Sequence, residues 1–204
     1  MAFEDRGVGM AALGAVFIAD AESAIPTGGV KQFDVDTATV GDGKPGQWTN
    51  IGHLSAETLP EFNLEGGDAT TRATWSNPQF RTTYDQVTGT VTLNSVQGDR
   101  QTLSLFFNGK IDTDGGVAFS LQKSEQKKAL FILWKDSNTN ERFAVYLPNT
   151  SLSFNSLPTL STDNFVEYQV QGNILTSSSL PKDVNGRATG VKIYDAEAFD
   201  AGAE

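Results

Sequence analysis

The chain has no cysteine and a single histidine, His53. Without thiols there is no disulfide, no thiolate nucleophile and no cysteine-held zinc, and the redox compartment stays undetermined. One histidine nearly excludes a multi-histidine metal site, and a His-based triad is nearly excluded because His53 has no Cys, Ser-Gly elbow or acid partner at a recognisable spacing. Bases are scarce beside acids, 15 Lys and Arg against 25 Asp and Glu, for a net charge of −10. Such a chain does not hold nucleic acid by neutralising phosphates, although an acidic wall could face nucleic acid without binding it. Plain solubility accounts for the same excess. Long apolar runs are missing as well. Val8 to Ala19 is too short to span a bilayer, and its flank Glu4-Asp5-Arg6 is not the basic region of a signal peptide. No targeting segment is expected, and no passage by the general secretory route.

What is present is a globular composition of 204 residues, 38% hydrophobic and 20% charged, enough for one sizeable core. The charge is uneven. Residues 1–68 carry eleven acids and three bases, residues 195–204 carry four acids and no base, and the middle is slightly basic.

The stretch Phe62 to Val96 organises the rest. Two runs rich in Thr, aromatic and β-branched residues, Thr70–Trp75 and Phe80–Leu93, flank Ser76-Asn77-Pro78, a turn-initiating sequence. The pattern predicts a long hairpin with a hydroxyl-bearing face, on which Thr88, Thr90 and Thr92 oppose Val87, Val91 and Leu93. Such a face is either solvated or lines a wet surface.

Elsewhere the first ten residues look like a mobile arm. Leu13–Ala19 reads as a buried strand, Val30–Val40 as an alternating one, Gly41–Gly46 as a loop and Trp48–Leu54 as a short strand. Ser55–Thr58 reads as a turn. Asp99–Asn108 is the best helix candidate: Asp99 can cap it, Leu103, Phe106 and Phe107 share a face, and Gly109 suits a left-handed end. A strand LSLFF is the alternative. A strand is expected over 116–121 and a helical turn over 124–128. Ala129–Lys135 and Arg142–Leu147 form the clearest short hairpin, which Pro148 is expected to end. Strands follow at Ser151–Phe154, Val166–Leu175 and Val191–Tyr194. The acidic tail 196–204 is expected to be disordered unless docked on a neighbour. The sum is a mostly β single domain, 11–195, built as a sandwich or barrel with one helix.

No residue pattern points to catalysis, a cofactor or a metal. Asp136-x-Asn138-x-Asn140 starts like a calcium loop, but Glu141 stands where Gly is needed and Leu147 where the bidentate Glu should be, so a hairpin turn explains it. Glu57, Glu61, Glu65 and Asp68 lack a fixed working distance for glycosidase chemistry and read as an acidic loop. His53 reads as a strand residue. Gly28-Gly29 and Gly66-Gly67 lack the Gly-Lys-Ser/Thr ending of phosphate loops. Trp48, Trp75 and Trp134, with thirteen Phe, fit either core and subunit contacts or a sugar-binding face.

The order of features resembles the major tail tube proteins of long, non-contractile-tailed bacteriophages. The likeness rests on Trp48-Thr-Asn-Ile-Gly-His-Leu-Ser55, the hairpin TTRATW…TVTLNSV, the helix around LSLFFNG and the pair KKALFILWKD…RFAVYLP, over roughly residues 10–195. It implies a β-sandwich or half-barrel protomer with one flanking helix (99–108) and extended terminal arms. It also implies hexameric rings stacked around a tape-measure protein, with terminator and tail-tip proteins as further partners. DNA would pass through without specific binding, and the tube would assemble in the host cytoplasm. Inward strands would join across subunits, closing sheet edges, and arms and loops would bridge rings. On this expectation Thr70, Arg72, Thr74, Thr88, Thr90 and Thr92 face the lumen, with Arg72 paired to an acid of the next subunit. Two other readings stay open: a carbohydrate-binding sandwich acting as an adhesin, and a tube protein of type VI or contractile injection systems.

Overall fold

A run of branched and aromatic residues sets the centre of the fold. The expected strand at Leu13–Ala19 is β1 (Leu13–Asp20), buried from Ala15 to Ala19. The structure, a computed structural model, describes residues 5–41, 47–158 and 160–200. After β1 come β2 (Phe33–Asp34), β3 (Thr39–Val40), β4 (Thr49–Asn50), β5 (Glu61–Glu65), β6 (Ala69–Thr74), β7 (Asn77–Tyr84) and β8 (Thr88–Ser95). Helix α1 (Arg100–Phe107) is followed by β9 (Lys110–Ile111), β10 (Val117–Ala118), β11 (Gln126–Lys135) and β12 (Arg142–Phe154). The described chain ends with β13 (Tyr168–Ile174), β14 (Lys192–Tyr194) and helix α2 (Ala196–Asp200).

Among the described residues eight strands form one antiparallel sheet in the order β4-β1-β11-β12-β13-β8-β5, with β14 also on β12. The sheet curls until its ends touch. Leu54, just past β4, bridges Ser95 at the end of β8, and the Val96 N–H donates to the His53 carbonyl at 3.0 Å. The result is a mostly β body with α1 at its flank, short of a closed barrel.

Strand alternation sends side chains to two packed faces. On one, Phe17, Phe33, Trp48, Phe131 and Tyr146 cluster. Phe33 stacks on Phe131 at 4.0 Å and meets Trp48 edge-on at 5.4 Å. Burial pushes the Tyr146 hydroxyl up to about 12, so it stays protonated and donates to the Ser23 carbonyl at 2.7 Å. On the other face Val16, Ile18, Leu130, Ile132 and Leu147 meet Val91, Leu93 and Val170, with Phe106 and Phe107 of α1 against them. Each fully buried aromatic or aliphatic side chain contributes about 1.5–3 kcal/mol.

Helix α1 starts as its sequence indicates. The Asp99 carboxylate accepts from the backbone N–H of Gln101 at 2.8 Å and Thr102 at 3.1 Å. Its far end differs from expectation: Asn108, at φ 49°, takes the left-handed position, and Gly109 does not. Asn tolerates that region because its short amide bonds locally. Gly109 is needed for closeness instead, since a Cβ there would lie 2.6 Å from Val117 Cγ1.

Pro148 does not end the hairpin strand. Lys128 pairs with Thr150 and Leu130 with Leu147, so Pro148 and Asn149 together oppose Ala129. This bulge absorbs the missing proline N–H, and β12 runs on to Phe154. It also marks the change of partner on the strand's far edge, from β14 to β13.

Other expectations are corrected. Residues 30–40 form a 3₁₀ turn and a two-residue hairpin, because Asp34 Oδ1 accepts from the N–H groups of Asp36 and Thr37 and Ala38 sits at φ 53°. The strand at 48–54 shortens to β4, and Gly52, just beyond it, turns the chain at φ 92°. The strand over 116–121 shrinks to β10, and 126–128 is strand, not helix. The arm is tied down from Asp5 onward: Arg6 pairs with Glu141 at 2.7 Å and Asp200 at 2.5 Å, and the Met10 N–H donates to Asp136 at 2.7 Å. That bond and those from Thr139 and Asn138 hold the Asp136 carboxyl below its usual range. Residues 196–200 are α2, with Phe199 buried under the Arg142 guanidinium at 4.9 Å. Residues 1–4 of the expected arm, 42–46 of the expected loop and 201–204 of the expected tail lie outside the described residues.

Candidate functional site

In β8, Val91 and Leu93 point into the core, so Thr88, Thr90 and Thr92 point away from it. Paired residues of an antiparallel sheet share a side, and the register carries this polar side across four strands. On β5, Glu61 pairs with Thr92, Asn63 with Thr90 and Glu65 with Thr88. On β13, Gln171 pairs with Thr92 and Asn173 with Thr90. On β12, Ser153 pairs with Gln171 and Ser151 with Asn173. The face therefore contains hydroxyls, amides and, on β5 alone, carboxylates. On these four strands, among the described residues, it has no aliphatic, aromatic or basic side chain. All of these side chains are half-buried or exposed. At one end Asn94 is buried, and an amide chain fixes the surface there: Gln169 Nε2 donates to Asn94 Oδ1 at 2.9 Å, and Asn155 Nδ2 to Gln169 Oε1 at 2.7 Å.

The expected hairpin exists but is broken into two parts. Its lower part is β5 with β8, inside the main sheet; its upper part is β6 with β7, a separate two-stranded ribbon. The break lies at Gly66-Gly67, with φ 87° and 81°, against Gln86 and Val87. A Cβ at Gly66 would lie 2.3 Å from the Gln86 carbonyl oxygen, so only glycine lets the strands cross so closely there. The run Phe80–Leu93 is thus divided at Asp85–Val87. Asn77-Pro78 lies within β7 beside a register irregularity, and the tip is Trp75-Ser76. Every ribbon residue is exposed, and Trp75 is fully so. Arg72 stands directly opposite Arg81, a repulsive pair.

The family model described as phage tail tube protein matches residues 1–184. The chain is also 34% identical to the major tail protein Gp23 of Mycobacterium phage D29 over 141 residues, 68% of this chain and 70% of that one. The same coverage at 33% identity relates it to the major tail protein Gp23 of Mycobacterium phage L5. The chain belongs to the phage tail tube protein family.

As a tail tube protein it has a structural role in the virion tail and is not an enzyme. Among the described residues no helix is long and apolar enough to cross a membrane. Of the six threonine and arginine positions singled out from the sequence, the structure brings Thr88, Thr90 and Thr92 together on the polar face of the sheet. It puts Thr70, Arg72 and Thr74 on the ribbon. The residues that complete the polar face on β12 and β13 were missed. Their signal was present in VEYQVQGNIL, where Gln169, Gln171 and Asn173 alternate with Val170, Gly172 and Ile174. The other sequence candidates have local jobs in this tail tube protein. Asp136 caps its own turn through Asn138 and Thr139, and Asp112 and Asp114 do the same through Thr113 and Gly116. Trp48 is core, Trp134 stacks on Phe143 at 5.9 Å, and His53 is exposed.

Proposed function

We propose that this tail tube protein closes into hexameric rings, that the rings stack into the tube, and that the face spanning β5, β8, β13 and the end of β12 lines the bore through which DNA is ejected. The composition of that face carries the reading. A wall that guides DNA must stay wet yet must not hold phosphates, and cationic side chains hold them by releasing counterions. Hydroxyls and amides in the centre with carboxylates on β5 meet both demands. On this reading Thr88, Thr90 and Thr92 line the channel, around the tape-measure protein before ejection. The ribbon, with Thr70, Arg72 and Thr74, reaches a neighbouring copy, because a two-stranded hairpin with exposed Trp75, Phe80 and Tyr84 is marginal alone. Tail-tip and terminator proteins bound the tube at its ends, and assembly takes place in the host cytoplasm.

Electron microscopy of the purified protein, alone and with tail-tip components, tests the tube; hollow tubes are expected. The bore is tested with Thr90→Cys, which supplies the chain's only thiol. In monomers it reacts with both a small and a polymer-linked maleimide; in tubes it reacts with the small reagent alone. Equal reaction of tubes and monomers with the polymer-linked reagent overturns the assignment.

A further inference from the structure

The polar face has two borders, and they carry opposite charge. At one border β5 is the last strand of the sheet, paired with β8 and with no strand beyond it among the described residues. Residues 57–68 around it hold four acids, Glu57, Glu61, Glu65 and Asp68, and no base. Glu61 and Glu65 lie on the polar face itself, exposed, with no hydrogen bond or ion pair to their carboxylates among the described residues. At the other border β1 stops at Asp20 opposite Lys128, so among the described residues Gln126 and Lys127 of β11 are paired on the β12 side alone. Residues 120–128 hold three bases, Lys123, Lys127 and Lys128, and one acid, Glu125; Lys128 is already paired with Asp20 at 2.7 Å, which leaves Lys127 and Lys123, the latter 5.9 Å from the centre of the Phe154 ring. Lys127 shares the polar face through its pairing with Ser151, and its ionic contact is a loose one of 3.6 Å to exposed Glu125.

We propose that the acidic β5 border of one copy meets the basic 123–127 border of the next, so that Glu61 and Glu65 pair with Lys123 and Lys127 and set the direction in which copies join. The occupant is a second copy of this chain, and the inference rests on the channel reading above. Two different surfaces that complement each other make a heterologous contact, which closes into a ring when the rotation allows. Unpaired strand edges at both borders supply the backbone groups for such a junction. The charges supply its polarity. Acid against acid or base against base is repelled, so copies cannot join edge-to-edge in the reversed sense. The arrangement also neutralises Lys127, a cation that shares the polar face.

The test reverses each border separately. Glu61→Lys with Glu65→Lys makes both borders basic; Lys123→Glu with Lys127→Glu makes both acidic. All four positions are exposed, and circular dichroism checks that the monomers fold. Each variant alone is expected to need at least about tenfold more protein to form tubes than the wild type, since like charges face each other at every junction. Mixed in equal amounts, the two are expected to assemble together by alternating around the ring, an outcome that unfolded variants could not give. The chain with all four changes is expected to assemble with itself. Assembly of either border variant alone at wild-type concentrations in low salt overturns the pairing, as does failure of the mixture to assemble. Wild-type protein run alongside separates the two readings. If it forms no tube with tail-tip components the channel reading fails, and if it forms tubes while the mixture does not, the border pairing alone fails.

Discussion

The curled sheet and the β6–β7 ribbon use the same residues to opposite ends. Both are threonine-rich and antiparallel, and they are continuous in the chain through Gly66-Gly67 and Asp85–Val87. In β8 the threonines alternate with Val91 and Leu93, which are buried, and the strand becomes one wall of a core. In β6 the alternates are Ala69, Thr71 and Ala73, and in β7 Tyr84, Thr82 and Phe80, none of which meets a core. A strand pair with nothing to cover either face gains little from burial to offset the entropy of ordering its backbone. The body therefore carries its stability within itself, whereas the ribbon has no core on either face. What separates them is the residue that shares the strand with each threonine.

The largest effect expected is in the body. Phe131→Ala removes a fully buried ring stacked at 4.0 Å on Phe33, and should cost about 3–5 kcal/mol in urea unfolding of the monomer. Phe80→Ala, in the ribbon, should change the same measurement by less than about 0.5 kcal/mol while slowing tube formation. A cost for Phe80→Ala equal to that of Phe131→Ala would end the contrast, because it would show the ribbon docked on its own body.

A smaller effect sharpens the boundary between polar face and core. Gly172 lies in β13 on the packed side, where a Cβ would meet Leu152 Cδ2 at 2.7 Å and Val91 Cγ1 at 3.2 Å. Gly172→Val should destabilise the monomer by about 1–3 kcal/mol through overpacking. Asn173→Thr, one residue along and on the polar face, should leave unfolding unchanged within error. If both changes were neutral, the two sides of β13 would not differ in packing as described.

The contrast was only partly legible in the sequence. β1, the β11–β12 hairpin and α1 could be read because alternation and an Asp cap are local signals that packing then reinforces. Thr88, Thr90 and Thr92 could be read as one side of a strand for the same reason. Their separation from Thr70, Arg72 and Thr74 could not, because it depends on both Gly66 and Gly67 adopting positive φ against Gln86. The glycine pair is visible in the sequence, but its crossing partner twenty residues away is not. The run of β12 through Pro148 was hidden likewise, since the bulge exists only relative to Ala129 on the other strand. In the tail, a single Phe199 among acids gives no periodicity; it is buried because Arg142 and the aromatic cluster lie within reach.

The next effect concerns α1, which belongs to the body but meets solvent at its start. Asp99→Ala removes the cap and should cost about 1 kcal/mol near neutral pH. Hydrogen bonds from Gln97 first, then from Thr102 and Gln101, bring the Asp99 carboxyl down to about 2 in the folded protein, below the unfolded value of about 4. A depressed folded value means that the stabilisation is complete above about pH 4 and fades as pH falls through about 2. The stability gap between wild type and Asp99→Ala should therefore be flat at neutral pH and close over that acid range. Asp99→Asn, which keeps an acceptor without the charge, should show a small gap with little pH dependence. A gap that stayed constant down to pH 2 would show that the cap does not act through the ionised carboxylate.

The smallest effect returns to the ribbon and separates folding from assembly. Arg72 opposite Arg81 is unfavourable within one chain, by roughly 0.2–1 kcal/mol relative to a neutral pair. Arg81→Glu turns it into an attractive pair, so amide exchange of β6 and β7 in the monomer should slow slightly while unfolding of the body stays unchanged. If the two arginines are held together in order to meet acids of a neighbouring copy, the same change should slow tube formation even as it steadies the ribbon. A ribbon that became firmer while tubes formed faster would mean that rigidity is what assembly lacks, and that the repulsion serves no partner. Opposite signs in the two measurements would show that a locally unfavourable pair is kept for a contact outside the chain, which is the distinction drawn above between a body that completes itself and an extension that does not.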